Sequence, residues 1–232
     1  MPWRCSWKRG TLGFALLSKR RKQSLGLAVA QYAASVDART LAYFEGRGLS
    51  GPVLSDFKIG TVIEPAEGHE LYVGRACLPY LTPTGVVNLK FRCIEDHERC
   101  SDYGHKKYYA LSGYGTRLYN VMALQQDSSS IAITEGEIDA ITVQSKLGMP
   151  TVAYPGATQW QGNPHWPLIF EGYSTVFVIA DGDKPGRDAA KEVASTMRNA
   201  EVVHCTDGED ANSLLRTDEG QQWLASKLRI ED

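Results

Sequence analysis

The sequence predicts an α/β fold in which a parallel sheet wrapped by helices follows a smaller, strand-rich α+β subdomain. Three observations predict it. After residue 130, short β-branched apolar runs alternate with helical patterns. Before residue 125, short apolar segments are divided by glycine, proline and polar clusters, which is typical of antiparallel strands. A polar linker, Gln125–Ser130, separates the two patterns, and we place the boundary between the subdomains there.

Charge is distributed unevenly along the 232 residues, although the formal net charge is only −2. Residues 1–22 contain seven Lys or Arg and no acidic residue. Such a basic arm suits a polyanion such as nucleic acid, and a solvated, partly disordered tail is the alternative. Residues 126–232 contain eight basic and seventeen acidic residues, which suits metal binding.

Neither a membrane segment nor a signal peptide is expected. The apolar run from Thr11 to Leu17 is too short to span a bilayer, and Lys19-Arg20-Arg21-Lys22 follows where a cleavage site should be. Five cysteines, an odd number, indicate a reducing compartment and hence a cytoplasmic protein.

The first half of the chain begins with a helical pattern. Leu25 to Phe44 predicts one or two helices, ended by Gly46 and Gly48. Six short apolar segments then predict a mainly antiparallel region: Val53–Phe57, Leu71–Val73, Ala76–Leu81, Val86–Phe91, Lys107–Leu111 and Leu118–Met122. The predicted domains are a basic arm or helix at 1–36, a subdomain at 37–126 and a second domain at 127–232.

The second half alternates strands and helices, which predicts a small parallel sheet. The predicted strands are Ile131–Thr134, Thr151–Tyr154, Thr175–Ala180 and Glu201–Cys205. The predicted helices are 137–147, 186–199, and two near 211–216 and 219–228.

Acidic residues follow three of these strands. Glu135 comes directly after the first strand, Asp181 and Asp183 follow the third, and the loop 207–212 follows the last. The carboxyl ends of parallel strands share one edge of a sheet, so these loops should meet in one crevice. Carboxylate oxygens are ligands that Mg²⁺ prefers, and paired metals support phosphoryl transfer.

Helix capping is the alternative for some of these acids. Thr134-x-x-Glu137 fits a capping box, and Asp183 before Pro185 fits a helix cap with proline in the first turn. Capping accounts for one acid at each helix start. It does not explain why Glu135, Glu137 and Asp139 occur together, or why Asp181 precedes Asp183.

These motifs resemble a known domain. Glu-Gly-x-x-Asp-Ala from Glu135, and Asp-Gly-Asp-x-x-Gly-Arg-Asp-Ala-Ala from Asp181, are similar to the Toprim domain of topoisomerases, primases and some nucleases, a Rossmann-like parallel sheet with helices. Asp207 to Gly220 resembles the DnaG-type bacterial and phage DNA primases in particular. Upstream motifs, among them Ala42–Ser50 and Lys107-Tyr108, extend the resemblance over roughly residues 37–230.

The resemblance implies a DNA primase catalytic core, which makes short RNA primers on single-stranded DNA by metal-dependent nucleotidyl transfer. It implies catalytic roles for Glu135, Asp181 and Asp183. The metal, Mg²⁺ or Mn²⁺, would be held by Glu135, Asp181, Asp183 and Asp210, with Asp139 supporting them. The implied nucleotide or nucleic-acid contacts are Arg92, Lys107, Tyr108 and Arg117. The implied partners are single-stranded template, ribonucleoside triphosphates and a replicative helicase, in the host cytoplasm if the chain is phage-encoded.

Two residues depart from the family pattern. Asn212 stands where the last acidic loop usually has a second Asp, and Ala110 stands where an Asn is common. The alternatives are therefore a Toprim nuclease, which would use the same metal site for hydrolysis, and a non-catalytic replication adaptor that binds single-stranded nucleic acid.

A compact set of metal-ligand residue types lies within the predicted subdomain at 37–126. Cys93, His97, Cys100 and His105 are candidate ligands of a structural zinc ion, and Cys77 could replace one of them. The spacing is not one of the common zinc spacings. An exposed charged hairpin, residues 95–99, that happens to lie between two thiols is the alternative.

Overall fold

The computed structural model describes residues 17–97 and 99–230. Most of the basic arm and of the apolar run from Thr11, and Glu98 of the charged hairpin, lie outside the described residues. The helices are α1 Lys19–Ala33, α2 Ala38–Glu45, α3 Gly51–Asp56, α4 Glu137–Leu147, α5 Ala157–Gln161, α6 Lys184–Ser195, α7 Ala211–Leu214 and α8 Asp218–Lys227. The strands are β1 Gly60–Thr61, β2 Ala76–Thr82, β3 Gly85–Arg92, β4 Tyr108–Ala110, β5 Ser130–Thr134, β6 Thr151–Ala153, β7 Thr175–Ala180 and β8 Ala200–His204.

The first half contains an antiparallel sheet in the order β1-β2-β3-β4. Helix α1 begins at Ser18, whose hydroxyl accepts a hydrogen bond from the backbone N–H of Arg21. Its apolar face, with Leu25, Val29 and Tyr32, is buried in one cluster with Leu89 of β3. This burial fixes one side of the sheet and leaves the other side for contact with the second half.

Three of the six predicted apolar segments in this half are not strands. Val53–Phe57 lies mainly in helix α3, and Leu71–Val73 overlaps a 3-10 helix at Glu70–Tyr72. Leu118–Met122 runs into another 3-10 helix, Val121–Gln125, and contributes only an isolated bridge between Tyr119 and Ala153. A short apolar run has the same composition in a strand and in a buried helical turn, so periodicity could not separate them.

The second half is a parallel sheet in the order β6-β5-β7-β8. Strand β7 and helix α4 have the predicted bounds, whereas α6 begins at Lys184 and ends at Ser195, earlier than predicted at both ends. Asp183 caps α6 by accepting a hydrogen bond from the N–H of Gly186, as the Asp-x-Pro pattern predicts. The predicted fold class, with a parallel sheet in one half and an antiparallel sheet in the other, is confirmed.

The two halves share a hydrophobic cluster that includes Leu78 and Tyr80 of β2 together with Ile138 and Ile141 of α4. At its edge, the carboxylate of Glu137 accepts a hydrogen bond from Tyr80 (2.6 Å) and pairs with Lys90 (2.5 Å). The predicted capping box of Thr134 and Glu137 is therefore wrong: Gly136 is the N-cap residue of α4, and it makes no side-chain cap. Glu137 instead joins helix α4 of the second half to the antiparallel sheet of the first.

Among the helices of the described residues, none combines the length and the apolar character needed to cross a membrane.

Candidate active site

The acidic loops meet at the carboxyl edge of the parallel sheet. Strands β5, β7 and β8 are neighbours there, so the residues that follow them are adjacent in space. A cavity of about 700 Å³, which we call the acidic cavity, is lined by Asp181, Asp183, Glu209 and Asp210. Arg47, from the turn after α2, lines it from the other half of the chain.

Two glycines allow these loops to pack closely. A Cβ atom at Gly182 would lie 1.8 Å from the backbone oxygen of Thr206, so this position brings the β7 and β8 loops into contact. A Cβ atom at Gly136 would lie 2.2 Å from Oδ2 of Asp139. The Asp-Gly and Glu-Gly dipeptides in the sequence thus have a steric reason as well as a turn preference.

Neighbouring carboxylates help to raise the pKa of three of these acids, Glu135, Asp139 and Asp181. Burial, followed by Asp210 and Asp181, raises the pKa of Asp139 to about 7. Burial, followed by Asp210, Glu135 and Asp183, raises the pKa of Asp181 to about 6. Burial and Asp183 also raise the pKa of Glu135. The structure therefore brings all five predicted metal residues into one interacting group.

Two members of this group also cap helices. Oδ1 of Asp183 accepts from the N–H of Gly186 at 2.7 Å, and Oδ1 of Asp210 accepts from the N–H of Ser213 at 2.6 Å. Each cap uses one carboxylate oxygen. Capping and metal binding therefore do not exclude each other at these residues.

Asn212 of α7 is hydrogen-bonded both to helix α4 and to the turn after α2. Its backbone N–H donates to Oδ1 of Asp139 (2.9 Å), and its side-chain Nδ2 donates to the carbonyl oxygen of Arg47 and the hydroxyl of Thr142, both at 2.8 Å. Its Oδ1 accepts from Arg47 at 3.2 Å. An Asp side chain could not donate the two Nδ2 bonds, so the departure from the family pattern has a structural consequence.

A second cavity, of about 520 Å³, lies beside the first and shares Tyr43 and Arg47 with it. Among the described residues, its lining has one acid, Glu95, and five Lys or Arg side chains, and we call it the basic cavity. The cations are Arg47, Arg92, Arg99, Lys106 and Lys107. A cavity with this charge suits a phosphate-bearing ligand.

Of the predicted nucleotide contacts, Arg92 and Lys107 line the basic cavity. Arg92 is buried and donates to the hydroxyls of Tyr43 and Tyr108, so Tyr108 orients Arg92. Burial, with Arg92 and Arg47, lowers the pKa of Lys107. Arg117 lines neither cavity, and partial burial lowers its pKa.

Sequence reasoning did not assign a role to Tyr43 or Arg47. Arg47 Nε donates to the Tyr43 hydroxyl at 2.9 Å, and its guanidinium lies 5.2 Å from the centre of the Tyr43 ring. Both residues belong to the upstream motif Ala42–Ser50, which was the available signal. Its position between the two cavities becomes visible only in three dimensions.

The predicted zinc residues converge. The ligand atoms of Cys93, His97, Cys100 and His105 lie within 4.8 Å of one another, and we call this group the Cys/His tetrad. Cys77 is buried on β2 and is not a member. The structure therefore contains a Cys/His group able to hold a metal ion.

The chain is similar to known proteins in both sequence and structure. The Toprim domain family matches residues 130–221. The Gene 57 protein of Mycobacterium phage D29 is 40% identical over 163 residues, which cover 68% of this chain and all of the phage protein. The DNA primase of Escherichia coli K12 is 27% identical over 124 residues, or 49% of this chain. That match spans only 21% of the E. coli protein.

Solved structures with the same fold include primase domains. The zinc-binding and RNA polymerase domains of Aquifex aeolicus primase give a TM-score of 0.73 at 20% identity, over 92% of this chain and 62% of that one. A DnaG primase catalytic domain bound to single-stranded DNA gives a TM-score of 0.67 at 22% identity. The match covers 91% of this chain and 82% of that one. The primase fragment of the bacteriophage T7 primase-helicase protein gives a TM-score of 0.60 at 20% identity. This match covers 79% of this chain and 71% of the T7 fragment.

These structures show the fold of the chain. The phage protein shows the family, since the match covers its whole length at 40% identity, and the Toprim match agrees with it. The chain therefore belongs to the family of the phage Gene 57 protein, matches the Toprim domain over residues 130–221, and has the fold of DnaG primase catalytic domains.

Proposed function

We propose that this chain is the catalytic core of a DNA primase, which joins ribonucleotides on a single-stranded DNA template. The observation that carries the proposal is the contact between the two cavities. Carboxylates suited to metal ions line one, cations suited to a triphosphate line the other, and Tyr43 and Arg47 belong to both.

The acidic group fits hard divalent cations. We propose that Glu135, Asp181, Asp183 and Asp210 hold Mg²⁺ or Mn²⁺, with Asp139 behind them. The donors are carboxylate oxygens. Burial, followed by the charge of neighbouring carboxylates, raises the pKa of Asp139 and of Asp181, so a bound cation would stabilise their charged forms. Bound ions would supply polarisation of the phosphoryl group and activation of the attacking hydroxyl.

The cations of the chain would act on the triphosphate. Arg92 is held in place by Tyr43 and Tyr108, and together with Lys107 it would offset phosphate charge in the basic cavity. The 3′ hydroxyl of one ribonucleotide would attack the α-phosphate of the next at the boundary of the two cavities. Pyrophosphate would leave on the side of the cations.

For the Cys/His tetrad we propose zinc. Thiolate and imidazole donors in a set of four are the donors that structural zinc prefers. We further propose that a replicative helicase is the partner, supported by the T7 relative, which is named a primase-helicase. The described cysteines are all free, which supports a reducing location such as the cytoplasm.

The test is incorporation of labelled ribonucleotides by the full chain on single-stranded DNA, with and without Mg²⁺. We expect metal-dependent incorporation that Asp181→Ala abolishes without unfolding the chain. The control is Glu171→Gln, which changes an exposed carboxylate outside both cavities and should keep full synthesis. Degradation of the DNA would indicate the nuclease, binding without either reaction would indicate the adaptor, and synthesis by Asp181→Ala would contradict the site assignment.

A further inference from the structure

All four residues of the Cys/His tetrad line the basic cavity, beside its cations. The loop that carries the tetrad also carries the cations at its two ends. Cys93 directly follows Arg92 at the end of β3, and His105 directly precedes Lys106 and Lys107. A metal that fixes the first and last ligands of this loop would therefore fix the cations next to them.

The geometry of the tetrad is close to that of a closed metal site. His97 Nε2 lies 3.1 Å from Cys100 Sγ and 3.7 Å from Cys93 Sγ. Neighbouring ligand atoms around a tetrahedral zinc ion are separated by about 3.3–3.8 Å, as zinc–ligand bonds of about 2.0–2.3 Å require. The ring of Tyr103 stacks on His97 with centroids 4.6 Å apart and orients the imidazole.

His105 has a partner suited to a metal ligand. Its Nδ1 lies 3.3 Å from the carbonyl oxygen of Lys106, so a metal on the other ring nitrogen would leave an Nδ1–H that donates to this oxygen. Buried Arg75 donates to the same oxygen at 3.0 Å, and its Nη2 lies 3.1 Å from Nδ1. Arg75 can donate to Nδ1 only when this nitrogen carries no proton, so metal binding would replace that contact.

The alternative, a charged hairpin with coincidental thiols, does not explain this convergence. Glu95 and Asp96 are exposed, as a solvated hairpin predicts, but the two thiols and two imidazoles point to one place. In the segment 93–107, the residues that the structure describes form no strand and only a 3-10 helix at Cys100–Tyr103, so little backbone pairing holds them. A metal ion bound by the tetrad would hold this segment in place where backbone hydrogen bonds do not.

We propose that zinc at the Cys/His tetrad forms a wall of the basic cavity, so that the cavity binds a ribonucleoside triphosphate tightly only when the tetrad is loaded. This inference rests on the proposed function in one respect, the assignment of the basic cavity to the triphosphate. Lys107 is the connecting residue: it lines the basic cavity together with Cys100, and its charge interacts with Cys100 and with Asp210 of the acidic cavity.

The first experiment measures metal content and triphosphate binding on the full chain, without catalysis. Zinc is counted by elemental mass spectrometry, and a cobalt-loaded sample is examined for thiolate absorption bands. Binding of a fluorescent ribonucleoside triphosphate is measured in Ca²⁺, before and after zinc is stripped with 1,10-phenanthroline. We expect one zinc per chain and at least a tenfold loss of affinity on stripping, reversed by zinc and not by added Mg²⁺.

Three variants separate residues that bind zinc from residues that bind the triphosphate. Cys100→Ser should lose both zinc and triphosphate affinity, whereas Lys107→Met should keep zinc and lose affinity. Cys77→Ala, which changes a buried thiol outside the tetrad, should keep both. If Cys100→Ser fails to fold, the stripping and reloading of the unmodified chain still decides the question.

The outcomes distinguish this inference from the proposed function. No zinc or cobalt bound, or stripping without loss of affinity, would overturn the inference even if the chain synthesises primers. Zinc-dependent triphosphate binding by a chain that makes no primers would support it and would count against the proposed function instead.

Discussion

Asn212 and Arg47, which are 165 positions apart in the sequence, are joined by two hydrogen bonds of the Asn212 side chain. The Asn212 amide donates to the Arg47 carbonyl oxygen at 2.8 Å and accepts from the Arg47 guanidinium at 3.2 Å. The pair connects the turn after α2 with helix α7. It therefore holds a cation of the first half against the acidic cavity of the second.

Replacing Asn212 by Asp should destabilise the chain in the absence of divalent metal. The new carboxylate would lose the donor bonds to the Arg47 carbonyl and to Thr142, and it would add charge beside Asp139. An unsatisfied buried acceptor costs about 1–3 kcal/mol. Urea unfolding without Mg²⁺ should show a loss of this size, with part of it recovered when Mg²⁺ is added.

The matched control is Asn163→Asp, the same change at a partly exposed residue in the loop after α5. Asn163→Asp should lower the free energy of unfolding much less than Asn212→Asp does. If Asn212→Asp and the unmodified chain are equally stable without metal, the hydrogen bonds of the Asn212 side chain do not stabilise the fold.

The ion pair between Lys90 of β3 and Glu137 of α4 should contribute more to stability than pairs at the surface. Glu137 and Lys90 are largely buried, so Glu137→Gln would leave the Lys90 ammonium without its carboxylate in a poorly hydrated place. We expect a loss of about 3 kcal/mol in the free energy of unfolding. Asp188→Asn, which breaks the exposed pair with Lys184, should leave that free energy almost unchanged. Similar losses in both variants would contradict this account.

The stability of the chain without Mg²⁺ should fall as the pH rises. Asp139 and Asp181 have pKa values near 7 and 6 in the folded chain, above the ordinary value of 3.8. Their raised pKa values contribute stability that is complete below pH of about 4 and is lost as the pH rises through the folded values. Mg²⁺ should therefore raise the unfolding temperature more at pH 8 than at pH 5.

Asp139→Asn tests the cause of this pH dependence. The variant cannot carry the charge, so its unfolding temperature in Mg²⁺-free buffer should fall less between pH 5 and pH 8 than that of the unmodified chain. A steeper or equal fall would assign the pH dependence to other groups.

The parts of the fold that local pattern determines were predictable. Helix α4 and strand β7 have the predicted bounds because periodicity and flanking turns define them locally. Strand-edge reasoning also placed Asp181 and Asp210 in one crevice, because parallel topology brings loops to one edge. The role of Glu137 was not predictable, since its partners Tyr80 and Lys90 lie on the antiparallel sheet of the other half of the chain. The same holds for Asn212, whose amide is used by residues distant in sequence.

Arg47 should be sensitive to loss of its shape as well as of its charge. Its guanidinium bonds to the Tyr43 hydroxyl and to Asn212 at once, and a lysine keeps the charge but cannot reproduce this fork. Arg47→Lys should therefore reduce kcat/KM for primer synthesis by at least tenfold, measured with varied ribonucleotide at saturating template. Arg198→Lys, the same exchange at an exposed site outside both cavities, should leave it unchanged. Full activity of Arg47→Lys would mean that charge alone suffices between the two cavities.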